Sequence, residues 1–187
     1  MNEKLDEKRL VTKTIYEGKI IRVKEDLVEL PNGKETTREV VQHPGAVGML
    51  AVQDGQIFLV RQYRYALQQE TLEIPAGKID RGEDPEICAI RELREEIGYT
   101  GKMKYMGTFH TSPGFADEII HLYQADELQW SPLSSDEDEF LGVIKVPLAE
   151  AVDMVMNNEL KDAKTVLAIL WANRLFAIPA GAEYLEK

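Results

Sequence analysis

"PAGKIDRGEDPEICAIRELREEIGY", residues 75–99, sets a glycine-rich turn directly before a segment that carries three glutamates within five positions. Asp84 followed by Pro85 is an N-cap with a first-turn proline, and Gly98 stands where a left-handed residue closes a helix. Together they predict a helix over 85–97. At about 100° per residue, Ile87, Ile90, Leu93 and Ile97 gather on one face, while Glu92, Glu95 and Glu96 fall within roughly 100° of one another on the opposite side. Acidic residues on an amphipathic helix are commonly just its solvated face. These three, however, repel one another at a cost of about a few tenths of a kcal/mol per pair, and near a helix C-terminus they also oppose the macrodipole. Arg91 and Arg94 offset part of that repulsion. A hard divalent cation, which takes carboxylate and carbonyl oxygens, offsets it more fully.

Working outward, residues 11–42 alternate in strand fashion around the turn Pro31-Asn32-Gly33, as a β-hairpin does. After Pro44-Gly45 the chain becomes more apolar. "AVGMLAV" and "QIFLVRQYR" flank Asp54-Gly55 as a second hairpin whose strands belong in a core. Further strands are expected at 70–74, 102–109, 118–125 and 140–146, and further helices at 148–157 and 162–177. Strands mixed with three helices predict an α/β layered domain, with its boundary between residues 43 and 44.

Composition narrows the function. With 187 residues and 44% hydrophobic content, the chain can bury a core and is long enough for one domain plus a smaller appendage. A net charge of -11, from 33 acidic against 22 basic residues, would repel a nucleic-acid backbone, and no basic block offsets it. A small anionic substrate is compatible, because a few arginines or a bound cation reverse the field inside one cleft. Cys88 is the single cysteine, so no internal disulfide forms, and no CxxC or HxxxH spacing offers a zinc site. No run approaches the roughly 18 apolar residues of a membrane span, and the start, MNEKLDEKRL, carries no apolar stretch. The expectation is a soluble cytoplasmic protein without a membrane partner.

Gly77, five residues, Glu83, seven residues, Arg91-Glu92-Leu93, one residue, Glu95-Glu96, one residue, Gly98-Tyr99: this pattern resembles the 23-residue Nudix box. Tyr99 departs from the aliphatic residue usual there, which touches packing rather than a ligand. Outside the box, "ELPNGKETTREVVQHPGAV" at 29–47, "LVRQYR" before "LEIPAGKI", and "TSPGFADE" at 111–118 resemble the members that hydrolyse ADP-ribose. The resemblance implies an α/β/α sandwich with a mixed sheet over 44–187. It also implies a small N-terminal antiparallel sheet over 1–43 through which two chains pair as a homodimer.

The implied reaction is water attack on the pyrophosphate of ADP-ribose, assisted by Mg²⁺ or Mn²⁺, giving AMP and ribose 5-phosphate. ADP-glucose, GDP-mannose and dinucleoside polyphosphates are alternative substrates, and a nucleotide-sensing module without catalysis is an alternative of another class. By motif position, Glu92, Glu95 and Glu96 with the Ala76 carbonyl are the implied metal ligands, and Glu83 and Arg91 brace loop and helix. The general base is expected in "SSDEDEF" at 134–140, as Glu137 with Glu139 next. Arg64 is implied at phosphate or ribose and Arg38 near the adenine. Glu73 is expected to hydrogen-bond substrate, while Ser112, Gly114, Phe115 and Glu118 fall in the segment that would wall the terminal-ribose pocket. Tyr16 and Phe115 are candidates for stacking on the base. His43, His110 and His121 share no spacing and read as packing or surface residues, and Cys88 reads as a small helix residue.

Overall fold

The computed structural model describes residues 5–134 and 140–176. Among the described residues, ten strands, three α-helices and one short 3-10 helix (Tyr65–Leu67) follow one another in two units. Strands β1 (Lys8–Glu17), β2 (Arg22–Glu29) and β3 (Glu35–Gln42) form a three-stranded antiparallel sheet in sequence order. Gly33, at φ +78°, supplies the left-handed residue that the β2–β3 turn needs. Every residue of β1 is exposed, and the sheet meets little of the rest of the chain on that side.

The second unit is a seven-stranded mixed sheet in the order β10-β5-β4-β9-β8, with β6 against β5 and β7 against β4. It comprises β4 (Ala46–Gln53), β5 (Gln56–Arg64), β6 (Gln69–Glu73), β7 (Ala76–Lys78), β8 (Tyr99–His110), β9 (Ile119–Trp130) and β10 (Gly142–Pro147). Residues alternate between its two faces along each strand. Val47, Met49, Ala51, Phe58 and Val60 pack with Cys88, Ala89 and Leu93 of helix α1 (Pro85–Glu96). Leu50, Ile57, Leu59 and Leu122 face the other way, onto α2 (Leu148–Met156) and α3 (Ala163–Phe176) through Ala151, Ala168, Ile169 and Ala172. Helices thus cover both faces, an α/β/α sandwich.

One departure from a plain sheet positions the site. β4 and β5 pair only at their hairpin end, Val52 with Ile57 and Gln53 with Gln56, and then part. β6 continues along β5, and β7 along the start of β4. The chain between them, Ile74-Pro75, therefore lies inside the fork, where Met49 N–H donates to the Pro75 carbonyl at 2.8 Å. The turn leading into Ala76 and Gly77 is seated in the sheet rather than hanging from it.

The helix expected at 85–97 forms, but its buried side is not the one the isoleucines suggest. Ile87 is 61% exposed, while Cys88, Ala89, Glu92, Leu93, Glu96 and Ile97 are buried. Two surfaces cover α1, the sheet on one flank and the Ala76-Gly77 turn on the other. The buried arc is therefore rotated toward the glutamates.

Candidate active site

Asp84 starts α1 by accepting the amides of Glu86 and Ile87 on one carboxylate oxygen, at 2.9 and 3.3 Å. Gly98, at φ +79°, ends it. Between these caps the glutamate flank lies under the turn. The Ala76 amide donates to the Glu96 carboxylate at 2.9 Å. Gly77 has no side chain where the Glu92 carboxylate lies: a Cβ built there would fall 1.8 Å from Glu92 Cδ. Two carboxylates only 8% and 7% exposed, Glu92 and Glu96, are thus held against backbone.

Arg91 gathers the remaining acids. Its Nε and Nη2 donate to the two oxygens of Glu83, each at 2.9 Å, and its Nη1 donates to Glu92 at 2.8 Å and Glu95 at 2.9 Å. Hydrogen bonding by Arg91 is the largest cause holding the Glu83 carboxyl low, at about 2, while the Arg91 guanidinium is raised, first by Glu83. Burial pushes the Cys88 thiol up, and its Sγ donates to the Lys78 carbonyl at 3.3 Å. Among the described residues no three acidic, histidine or cysteine side chains stand ready as a metal-holding group. The donor chemistry is nonetheless that of a hard cation: the carboxylates of Glu92, Glu95 and Glu96 and the Ala76 carbonyl offer oxygen only, and the cradle over Gly77 keeps Glu92 beside the turn.

Arg64, at the end of β5, donates through Nε and Nη2 to Glu73 at 2.8 and 2.7 Å, a bidentate pair between neighbouring strands. Glu73 is only 2% exposed, and it also accepts from Thr71 and Lys164. The expected substrate contact is therefore engaged inside the protein. Its carboxyl is pushed up by burial but more strongly held down by Arg64, Lys164 and Thr71, to about 2.

Arg38, on β3, is exposed and pairs with Glu7 through Nε at 3.0 Å and Nη2 at 2.6 Å. Its strand also meets the 112–118 segment. Val41 N–H donates to the Phe115 carbonyl at 2.7 Å, and Asp117 N–H to the Val41 carbonyl at 3.0 Å. Ser112 closes this turn by accepting the amides of Phe115 and Ala116, Gly114 has open space around it, and the Phe115 ring is exposed. Glu118 accepts from the Thr111 hydroxyl at 2.6 Å and lies 3.5 Å from His43 Nδ1. Glu137 and Glu139 lie outside the described residues. The residues that pattern reading missed are Thr71, Asp162, Lys164 and Thr165; only Asp162, three positions before Thr165 at a helix start, carries a capping signal.

Residues 42–168 match the NUDIX domain, and residues 7–41 match the nucleoside diphosphate sugar hydrolase N-terminal domain. An ADP-ribose pyrophosphatase of Bacillus subtilis (strain 168) is 47% identical over 94% of this chain and 97% of its own length. A methanol dehydrogenase activator of Bacillus methanolicus is 44% identical over 90% of this chain and 94% of its own. An ADP-ribose pyrophosphatase of Mycobacterium tuberculosis is 35% identical over 88% and 82%. In fold, the structure superposes on a crystal structure of an ADP compounds hydrolase with a TM-score of 0.83, covering 94% and 97% of the two chains at 23% identity. With the glutamate helix seated under its glycine turn, and with a domain match across most of the sheet and helices that build that seat, the chain belongs to the NUDIX domain family.

Proposed function

We propose that this protein hydrolyses the pyrophosphate bond of ADP-ribose to AMP and ribose 5-phosphate, with Mg²⁺ or Mn²⁺ as its cofactor. The observation that carries the reading is the pair of buried carboxylates, Glu92 and Glu96, held against the Ala76-Gly77 turn in a chain 47% identical to an ADP-ribose pyrophosphatase. Both carboxylates have partners within the protein, Arg91 for Glu92 and the Ala76 amide for Glu96, and their oxygens are the hard donors that a divalent cation takes.

In this mechanism Arg64 binds the diphosphate through guanidinium N–H groups, and Arg38 lies toward the adenine. Glu92, Glu95, Glu96 and the Ala76 carbonyl would hold the metal, which when bound supplies charge neutralisation on the phosphate oxygens and a more acidic water. Arg91 keeps Glu83, Glu92 and Glu95 in place while Glu137, or Glu139, takes the proton from the attacking water. The water oxygen bonds to phosphorus as the bridging P–O bond breaks, releasing the two monophosphates. The exposed β1, with Leu10, Val11, Ile15 and Tyr16 uncovered in a single copy, supports pairing of two chains through the N-terminal sheet. A single buried Cys88 that forms no disulfide is in keeping with a cytoplasmic location.

The test is incubation with Mg²⁺ and a mixture of ADP-ribose, ADP-glucose, GDP-mannose and a dinucleoside polyphosphate, with products identified by mass spectrometry. AMP and ribose 5-phosphate are expected to appear first, and chelation by EDTA is expected to stop their formation. Little loss of ADP-ribose beside rapid loss of another compound overturns the substrate. Glu96→Gln is expected to lower kcat by about two orders of magnitude or more with the fold intact; unchanged turnover overturns the metal assignment.

A further inference from the structure

The four donors on Glu73 account for its whole capacity. A carboxylate has about four lone-pair sites, two per oxygen. Oε1 takes Arg64 Nε and Thr71 Oγ1, and Oε2 takes Arg64 Nη2 and Lys164 Nζ. Nothing remains on it for a ligand, so whatever Glu73 contributes to substrate binding passes through Arg64. Of the five N–H groups on a guanidinium, Glu73 engages two. The side chain of Arg64 is 41% exposed, so the remaining edge meets solvent.

Lys164 enters this pair from the far side of the fold. It lies at the start of α3, is 12% exposed, and is held between Glu73 and Asp162, whose Oδ2 is 3.0 Å from Nζ. Asp162 is fixed in turn by the amide and hydroxyl of Thr165, at 3.0 and 2.6 Å. Thr165 then accepts the Ile74 amide at 2.9 Å, two residues before Ala76. The first turn of α3 therefore grips the end of β6 at the Glu73 side chain and the residue that follows it at the Ile74 backbone.

We propose that Lys164 is a positioning residue for the diphosphate-binding arginine: by sharing the Glu73 carboxylate with Arg64 and pairing with Asp162, it fixes that carboxylate and offsets the second acid, which leaves the guanidinium aimed toward the substrate. This rests on the reading of Arg64 as a diphosphate ligand. Without Lys164, Glu73 Oε2 keeps Arg64 Nη2 alone, and the charges of Glu73 and Asp162 bear on one guanidinium with no second cation between them. Arg64 then meets an anionic substrate as half of a closed ion pair. Charges near Arg64 act on it as expected: Glu73 hydrogen bonding is the largest cause raising it, with smaller contributions from Glu96 and Asp162.

The experiment is a double-mutant cycle in steady-state kinetics, using Lys164→Met, Arg64→Ala and the pair together, with Lys164→Arg as a charge-keeping variant. Lys164→Met is expected to raise KM about tenfold with kcat within about twofold, and Lys164→Arg to restore KM to within about threefold of wild type. In the Arg64→Ala background, Lys164→Met is expected to change KM less than about twofold. Effects on KM that multiply across the pair overturn the proposal. So does a fall in kcat that follows the melting temperature, which is what a merely structural lysine would give. Should Lys164→Met fail to fold, Lys164→Gln, which keeps donors but no charge, takes its place in the cycle. All proteins are assayed on ADP-ribose and on GDP-mannose. Turnover of GDP-mannose alone overturns the substrate reading and leaves the cycle to be read on that sugar; turnover of neither by the wild type overturns both.

Discussion

At the scale of single residues, Gly77 and Glu92 form one unit although 15 positions apart in the sequence. The carboxylate occupies the place a side chain at 77 would fill, so Gly77→Ala must expel it or push the turn away from α1. Overpacking of this kind costs about 1–3 kcal/mol, and a misplacement of about 1 Å in a catalytic group lowers turnover about a hundredfold. Gly77→Ala is therefore expected to lose about two orders of magnitude in kcat for only a modest fall in melting temperature. Steady-state turnover and a thermal melt measure the two; wild-type kcat would show that the seat of Glu92 is irrelevant to the chemistry. The spacing of Glu92, Glu95 and Glu96 was readable because local helical geometry alone puts them together. Lys164 was not, because its partner Glu73 is 91 positions away and only the fold joins them.

At the scale of elements, the caps of α1 were readable from Asp84, Pro85 and Gly98, since each acts within its own turn. The rotation of its buried arc was not. A wheel registers where apolar side chains lie, whereas α1 is covered by a turn as well as a sheet, and that second cover is what buries Glu92 and Glu96. The short β7 and the parallel pairing of β4 with β9 escaped for a related reason: three residues, Ala76–Lys78, carry no period, and register between distant strands is a property of the assembled sheet.

The join between β6 and α3 has a pH signature. Glu73 is held at about 2 in the folded chain against an ordinary 4.5, so its charge stabilises the fold above pH 4.5, and that contribution is lost as pH falls toward 2. The shift corresponds to at most about 3 kcal/mol. Urea unfolding of the wild type and of Glu73→Gln should differ by a constant amount above about pH 5 and converge as pH falls through that window. A gap that stays constant to pH 2 would mean that the carboxylate charge is not what binds the two elements.

At the scale of the molecule, the N-terminal sheet is joined to the Nudix domain through β3 and the 112–118 segment, while β1 presents ten exposed residues to solvent. Uncovered apolar residues on an unpaired edge strand are a liability unless another surface meets them. Light scattering after size exclusion is expected to give twice the 21.2 kDa of one chain, and Val11→Asp with Ile15→Asp is expected to shift the protein toward the single-chain mass. A wild type that elutes as one chain at micromolar concentration would remove the pairing. The change of pattern after Pro44-Gly45 falls where the chain passes from the three-stranded sheet, ending at Gln42, to the seven-stranded one, starting at Ala46. The link between the units was not readable in the sequence, since it consists of backbone hydrogen bonds to which side-chain identity contributes little.

The fork between β4 and β5 also creates a reporter. The Met49 amide is bonded to Pro75, in the turn, and not to a neighbouring regular strand. Its exchange with deuterated solvent therefore follows the seating of the turn that carries Ala76 and Gly77. Met49 itself is fully buried in the core and touches no proposed substrate group. Protection at that one amide, compared with its neighbours on β4, reads out how often the Ala76-Gly77 turn lifts from the sheet, in an otherwise unaltered enzyme.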